Sequence, residues 1–381
     1  MNITFNYRYY INSDEYETHQ LTFKTYANKS LAYTLDEVGD VVHFAEKEQK
    51  NGRYVAIYLT YEAAAHFNIN MATHHLEHGD LYAVAYSFDE EDVQPPSLEN
   101  VYNYVPKHNF TFQESDEQMR FKIQQVQAAI VEGETYQVNY TTRLTSDIHY
   151  SISELYTYLT QTNNGGYTAL LDTEDLQVAS ISPELFFQKG KFKGENDVIV
   201  SKPMKGTMPR SADEKEDELN YKTLQQSLKD RAENVMIVDL LRNDISRISE
   251  TGTIKVYKPF FIETYKTVYQ MTSMVTGHLI NEISLHDILK ALFPCGSITG
   301  APKLNTMSYI KSLEIGPRSI YCGSIGLMMP EDKMIFNIPI RTLKYRQDKV
   351  IYGVGAGITI DSDPKNEVQE FRDKTKILEM L

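Results

Sequence analysis

Two pairs of acidic residues are set at helical spacing. Asp230 and Glu233 are three apart, as are Glu367 and Glu370, so on helices each pair would show both carboxylates on one face. Two such faces could hold one magnesium ion, which takes oxygen ligands in octahedral geometry and keeps several waters: one direct carboxylate per helix, with a second bonding a bound water, would suit it. Lys374, four residues after Glu370, would put a cation on the same face. The ordinary readings are a solvated charged face and a surface ion pair. Lys205 stands in Pro203-Met204-Lys205-Gly206-Thr207, between residues that fix and loosen the backbone. A lysine amine is a nucleophile only without its proton, which calls for burial or neighbouring cations. Gly353, Gly355 and Gly357 alternate along a strand-like run, clearing one face so that a ligand can approach backbone. Their spacing is not GxGxxG, and too little sequence follows to return a parallel strand, which argues against a dinucleotide fold.

Two further patterns compete for chemistry. His74-His75-Leu76-Glu77-His78 matches H-x-x-E-H, which would put His74 and His78 on one helical face for zinc. Asn70 before it and Gly79-Asp80 after it mark a surface connection instead, and no acidic ligand follows at a convincing position. Cys295 lacks the flanks of a nucleophile elbow, and with Cys322 it is expected to be reduced and inert.

The elements that must position these residues are legible in part. Ser115 and Gln118 resemble a capping box, and Met119, Ile123, Val126 and Ile130 share a helical face before Gly133. Next comes an alternating, half-buried strand with Tyr136, Val138 and Tyr140 on one face and Gln137, Asn139 and Thr141 on the polar one. A second long helix is expected from about Glu216 to Leu241. A third starts at Pro364, capped by Asp363, and runs to the carboxyl end. Strand-like runs at Arg53 to Tyr61 and Leu81 to Phe88 precede an acidic connection, Asp89 to Ser97. Helices and strands mix without βαβ alternation, so the fold class is α+β, with residues 1–100 as a mostly stranded subdomain and 101–381 as the larger domain, or the two packed as a single large domain.

With 381 residues and 41% hydrophobic content the chain can bury a sizeable core. A net charge of −14 argues against nucleic acid as a partner, so an anionic substrate would need local cations. No run approaches the roughly 20 apolar residues of a membrane helix, and the first residues lack a signal-peptide core, so the expected setting is the cytoplasm.

Taken together, several ordered segments resemble the chorismate-utilising enzyme family over roughly Phe112 to Leu378. They are Ser182-Pro183-Glu184-Leu185-Phe186, the Lys205 segment, Ala232-Glu233-Asn234 leading into Asp239 to Asp244, Phe293 to Lys303, Ile340-Arg341-Thr342, and Gly355-Ala356-Gly357 through Asp363-Pro364 to Glu370. The resemblance implies an anthranilate synthase component I-like fold, with mainly antiparallel sheets in a sandwich and helices outside. It implies that Glu233 and Glu370 bind magnesium, with Asp230 and Glu367 acting through water. Arg341, Lys374 and the backbone near Gly355 and Gly357 would hold the chorismate carboxylates; Tyr321, Thr299, Thr207 and Gln137 would line the substrate site. Glu184 would be the general acid for the departing ring hydroxyl, a task for a carboxylic acid of raised pKa.

Water-adding members carry a lysine base where this chain has Gln137, so the resemblance implies ammonia as the nucleophile. Anthranilate-forming members usually carry alanine at the position of Lys205. Lysine there is similar to the branch that makes 4-amino-4-deoxychorismate, on the way to 4-aminobenzoate and folate, through a covalent lysine adduct. Ammonia would come from a separate glutamine amidotransferase subunit. Many members have histidine where this chain has Gln270, so that histidine's role does not carry over. The tryptophan-sensing leucine-leucine-glutamate-serine motif has no clear counterpart. The competing readings are anthranilate formation, a non-catalytic chorismate-binding subunit, and a zinc peptidase.

Overall fold

The computed structural model describes residues 1–95, 109–148, 150–162, 165–346 and 348–380. Among the described residues two ten-stranded sheets carry the fold, every strand pair antiparallel; nine strands of each lie on one path, and Thr111–Phe112 pairs with Gln137–Ser146 in the first and Lys255–Thr264 with Val268–His278 in the second. The first sheet runs, in spatial order, through Gly300–Ala301, Gln137–Ser146, Lys349–Ile358, Thr342–Arg346, Gln177–Ser182, Tyr167–Asp172, Asn2–Tyr10, Tyr16–Phe23 and Val93–Gln94. The second runs through Met204–Pro209, Val268–His278, Glu195–Lys202, Leu185–Phe192, Lys333–Asn337, Ser324–Met329, Tyr54–Leu59, Ala83–Phe88 and Asn28–Ala32. The first hundred residues therefore supply strands to both sheets: Asn2–Tyr10 pairs with Tyr167–Asp172, and Tyr54–Leu59 with Ser324–Met329. The boundary expected near residue 100 lies outside the described residues, and Val93–Gln94, expected within a connection, forms an edge strand.

The sheets pack face to face. Ile3, Phe5 and Tyr7, at alternate positions of the first strand, are fully buried in one cluster with Tyr58, Val84, Tyr86, Ile325, Leu327 and Ile335 of the other sheet. This is the period-2 burial that a sandwich imposes. Helices cover the outside, as the α+β, sandwich-like expectation requires. The capping box of Ser115 and Gln118 starts Asp116–Val131, which buries Met119, Ile123 and Val126. Asp363 caps Pro364–Lys374 by accepting from the Lys365 and Asn366 amides, and Glu367, Val368 and Phe371 face inward.

Three local expectations need correction. The long helix from Glu216 to Leu241 is two helices, Glu214–Gln226 and Leu228–Ser246, because Ser227 leaves helical geometry and caps the second through the Asp230 amide. The Gln137–Ser146 strand is buried on both faces rather than one, with helices on one side and the candidate site on the other. Tyr136 lies just outside that strand and is 68% exposed. His74 to His78 is not helical: the His74 Nε2 and Glu314 O are 3.1 Å apart, and Glu77 pairs with Arg346. The zinc geometry is therefore missing.

Candidate active site

The site is assembled along one face of the Lys349–Ile358 strand. Directly opposed residues of an antiparallel pair share a face. Gly353, Gly355 and Gly357 stand opposite Arg143, Thr141 and Asn139, so all six look the same way. The glycines are needed for space, not for unusual backbone angles. A Cβ on Gly357 would lie 2.1 Å from Gln137 Nε2 and 3.3 Å from Lys205 Nζ; one on Gly355 would lie 2.5 Å from Tyr140 O; one on Gly353 would lie 2.3 Å from the Tyr321 ring. Lys205 and Gln137, distant in sequence and on different sheets, thus converge over Gly357.

Lys205 sits on the Met204–Pro209 strand, and its amine makes no hydrogen bond or ion pair among the described residues. The following residue, Gly206, has φ +89° and approaches Asp230 so closely that a Cβ would lie 2.9 Å from its carboxylate. This contact sets the first turn of the Leu228–Ser246 helix beside the lysine. Asn234, one residue after Glu233, accepts from the Ser273 hydroxyl at 2.6 Å and pins that helix to the sheet.

Glu184 is buried, and its carboxylate accepts from Ser297 Oγ at 2.9 Å. Burial pushes its pKa up to about 7, opposed by the Ser297 hydrogen bond and the nearby Lys205 and Lys374 cations. It is therefore partly a neutral acid near pH 7, as a proton donor should be. Ser297 belongs to the short turn Gly296–Ile298 within the Phe293-to-Lys303 segment. That segment is anchored by Lys303, whose amine donates to Asp244 Oδ2 at 2.8 Å and Leu292 O at 3.2 Å. Two motifs of the sequence, one ending in Lys303 and the other in Asp244, are thus one buried ion pair.

Each carboxylate pair interacts along its helix as the spacing predicts, and Glu233 and Glu370 lie within electrostatic reach across the two helices. Burial raises the pKa of Glu233 despite the neighbouring Lys205 and Lys229, and Asp230 and Glu370 raise it further. Glu367 is raised by burial and by Glu370, although it accepts from Ser362 Oγ at 2.7 Å. Glu370 is also pushed up by burial, but Lys374, whose amine is 2.7 Å away, brings it below the ordinary range. Lys374 also donates to Gly355 O at 2.8 Å, tying the second carboxylate helix to the glycine strand. Four carboxylates that repel one another across two helices, with no sulfur or imidazole among them, form a donor set suited to a hard cation. Among the described residues no group of three His, Cys, Asp or Glu stands close enough to close a shell around a metal. An ion here would need water ligands, as magnesium does.

Arg341, at φ +53°, has no hydrogen-bonded or ionic partner for its guanidinium among the described residues. Burial lowers its pKa, while Tyr352 and Tyr265 oppose the effect. A half-buried guanidinium with unused donors suits a carboxylate ligand. Tyr321 is buried over Gly353. Thr299 is fully buried and spends its hydroxyl on Cys295 O at 3.0 Å. Thr207 is exposed and accepts from Gln270 Nε2 at 2.9 Å. Cys295 is buried, and burial pushes its thiol up to about 11, as befits an inert cysteine. Sequence reasoning missed Ser297 and Lys229 as parts of the site. Ser297 stood inside a recognised segment, whereas Lys229 gave no signal beyond lying four residues before Glu233.

The chorismate binding enzyme family matches residues 6–379, and the chain belongs to it. It is 40% identical over 253 residues to aminodeoxychorismate synthase component 1 of Salmonella typhimurium, covering 66% of this chain and 55% of that one. It is 37% identical over 285 residues to the Escherichia coli protein of the same name, covering 73% and 62%. The chain thus spans little more than half the length of these relatives. Its fold is that of anthranilate synthase component I from Streptococcus pneumoniae, with a TM-score of 0.77 and 22% identity over all of this chain and 92% of that one.

Proposed function

We propose that the chain aminates chorismate to 4-amino-4-deoxychorismate with ammonia supplied by a separate glutamine amidotransferase subunit, in a cytoplasmic setting and on the way to 4-aminobenzoate and folate. The observation that carries this reading is the placement of Lys205: an amine without an internal partner, over Gly357 and beside Gln137, within electrostatic reach of Glu184, Glu233 and Glu370.

In this reading Arg341 and Lys374 hold the two substrate carboxylates, and the glycine strand lets the ring lie close to backbone. The unprotonated Lys205 amine attacks the ring carbon next to the carboxylate-bearing one. Both conjugated ring double bonds shift by one position, and the hydroxyl leaves as water with the proton of Glu184. Ammonia then bonds to the vacated carbon, both double bonds shift back, and the lysine departs as the neutral amine, while the new ammonium gives a proton to the Glu184 carboxylate. The adduct divides one difficult substitution into two easier ones. Glu233 and Glu370 would hold magnesium, assisted by Asp230 and Glu367, and the ion would neutralise charge on the ring carboxylate. Gln137, lacking a basic nitrogen, cannot activate water as a lysine would, which favours ammonia.

The test is product analysis by chromatography after incubating wild type and Lys205→Ala with chorismate, magnesium and ammonium salt. The reading expects aminodeoxychorismate from wild type and little from the variant. Anthranilate from wild type would replace this function with that of the ortho-aminating members.

A further inference from the structure

A cavity of about 280 Å³ lies further along the same face of the glycine strand. Gly353 and Tyr321 line it, and Gly355 and Gly357 continue from there toward Lys205. Its charged lining is Arg143, Arg318, Lys344 and Arg346 against Glu77, Asp80 and Glu314, an excess of one positive charge in a chain of net charge −14. Arg143 is 7% exposed; its Nη1 donates to Thr141 Oγ1 and Thr142 O, but its Nη2 has no hydrogen-bond partner. The Glu314 carboxylate stands 3.6 Å from that nitrogen, but it is already engaged by Arg318 at 2.7 Å and by the Thr141 amide and hydroxyl. On the other side of the glycine strand, Lys344 donates to the Ser319 hydroxyl at 2.8 Å and has no carboxylate partner among the described residues. The remaining lining acids, Glu77 and Asp80, pair with Arg346.

Arg143 and Arg318 share the Glu314 carboxylate, with the buried Glu62 carboxylate within electrostatic reach of both; Lys344 has no carboxylate, and one buried N–H group of Arg143 is left without a hydrogen bond, which is costly unless a ligand meets it. Ile320, Ile351 and the Tyr321 ring give the wall an apolar side, beside uncharged polar residues such as Gln113 and Thr342. We propose that this cavity binds a small carboxylate with an apolar body, its carboxylate bonded by Arg143 and Lys344. The proposal concerns binding and stands whatever reaction occurs at Lys205.

Benzoate is the probe, with benzyl alcohol as its neutral counterpart, and titration calorimetry on the full chain is the readout. One benzoate site is expected and no comparable binding of the alcohol. Lys344→Gln should weaken benzoate about tenfold, the worth of one charge-assisted hydrogen bond. Lys344→Arg should retain binding, and Arg341→Gln, which alters the catalytic cleft, should leave it unchanged. Each variant is checked for an unaltered melting temperature. Absence of benzoate binding to folded wild type, equal binding of the alcohol, full affinity in Lys344→Gln, or loss of affinity in Arg341→Gln alone would each overturn the assignment; the last would place benzoate in the cleft.

Discussion

Replacing Gly357 with alanine tests the convergence over the glycine strand. The new methyl would lie 2.1 Å from Gln137 Nε2 and 3.3 Å from Lys205 Nζ. Gln137 is 1% exposed, so its amide has no free space to enter and must push its surroundings. Overpacking of this kind costs about 1–3 kcal/mol of stability. A displacement near 1 Å at the lysine would cost roughly 100-fold in rate. Ammonia-dependent chorismate consumption should therefore fall about 100-fold in kcat/KM. Adding Gln137→Ala removes the clashing amide, so the double variant should regain stability relative to Gly357→Ala alone, a non-additivity expected only of residues in contact. Wild-type kcat/KM and melting temperature in Gly357→Ala, or strictly additive effects of the pair, would refute the reasoning.

Glu184→Gln keeps the shape and removes the proton source, so activity should drop about 100-fold or more. In the wild type, activity that needs the protonated acid should decline as pH rises through about 7. The same group makes a stability prediction. Its folded pKa lies above the unfolded one, so its contribution is fully present below the unfolded value near 4.5 and is lost as pH rises through about 7. Glu184→Gln should thus be less pH-sensitive over that window, by about 3 kcal/mol in denaturant titrations. Ser297→Ala deletes the hydrogen bond that lowers the pKa of Glu184, and should move the descending limb of the pH–rate profile upward. Lys303→Met leaves the buried Asp244 carboxylate without its principal cation, and should cost about 3 kcal/mol in chemical unfolding. For magnesium, Glu370→Gln should raise the metal concentration needed for half-maximal activity at least tenfold, read from a magnesium titration.

Local signals were readable in the sequence wherever one segment carried its own physics. Ser115 with Gln118, Asp363 with Pro364 and the two carboxylate pairs depend on neighbours one to three residues away, and each stands as the spacing predicts. Ser227 was missed because a single serine in a long polar run does not announce a break; only the cap it makes to Asp230 shows it. The alternation from Gln137 to Thr141 implied a wet face, but that face is closed by residues far away in sequence, among them Lys205 and Glu314. Long-range strand pairing, such as Asn2–Tyr10 with Tyr167–Asp172, is set by burial of the whole sandwich and leaves no local trace. The roles proposed for Glu184 and Lys205 rest on family resemblance, whereas the burial that raises the Glu184 pKa and the crowding of Gln137 and Lys205 over Gly357 needed three dimensions.

The covalent role proposed for Lys205 can be tested most directly by intact-protein mass spectrometry after mixing the chain with chorismate and magnesium in the absence of ammonia, then quenching in acid. A mass gain equal to chorismate less one water, mapped to Lys205 by peptide analysis and absent in Lys205→Ala, is the expected result. No adduct in a preparation that forms aminodeoxychorismate once ammonium is added, together with unimpaired turnover by Lys205→Ala, would contradict the account.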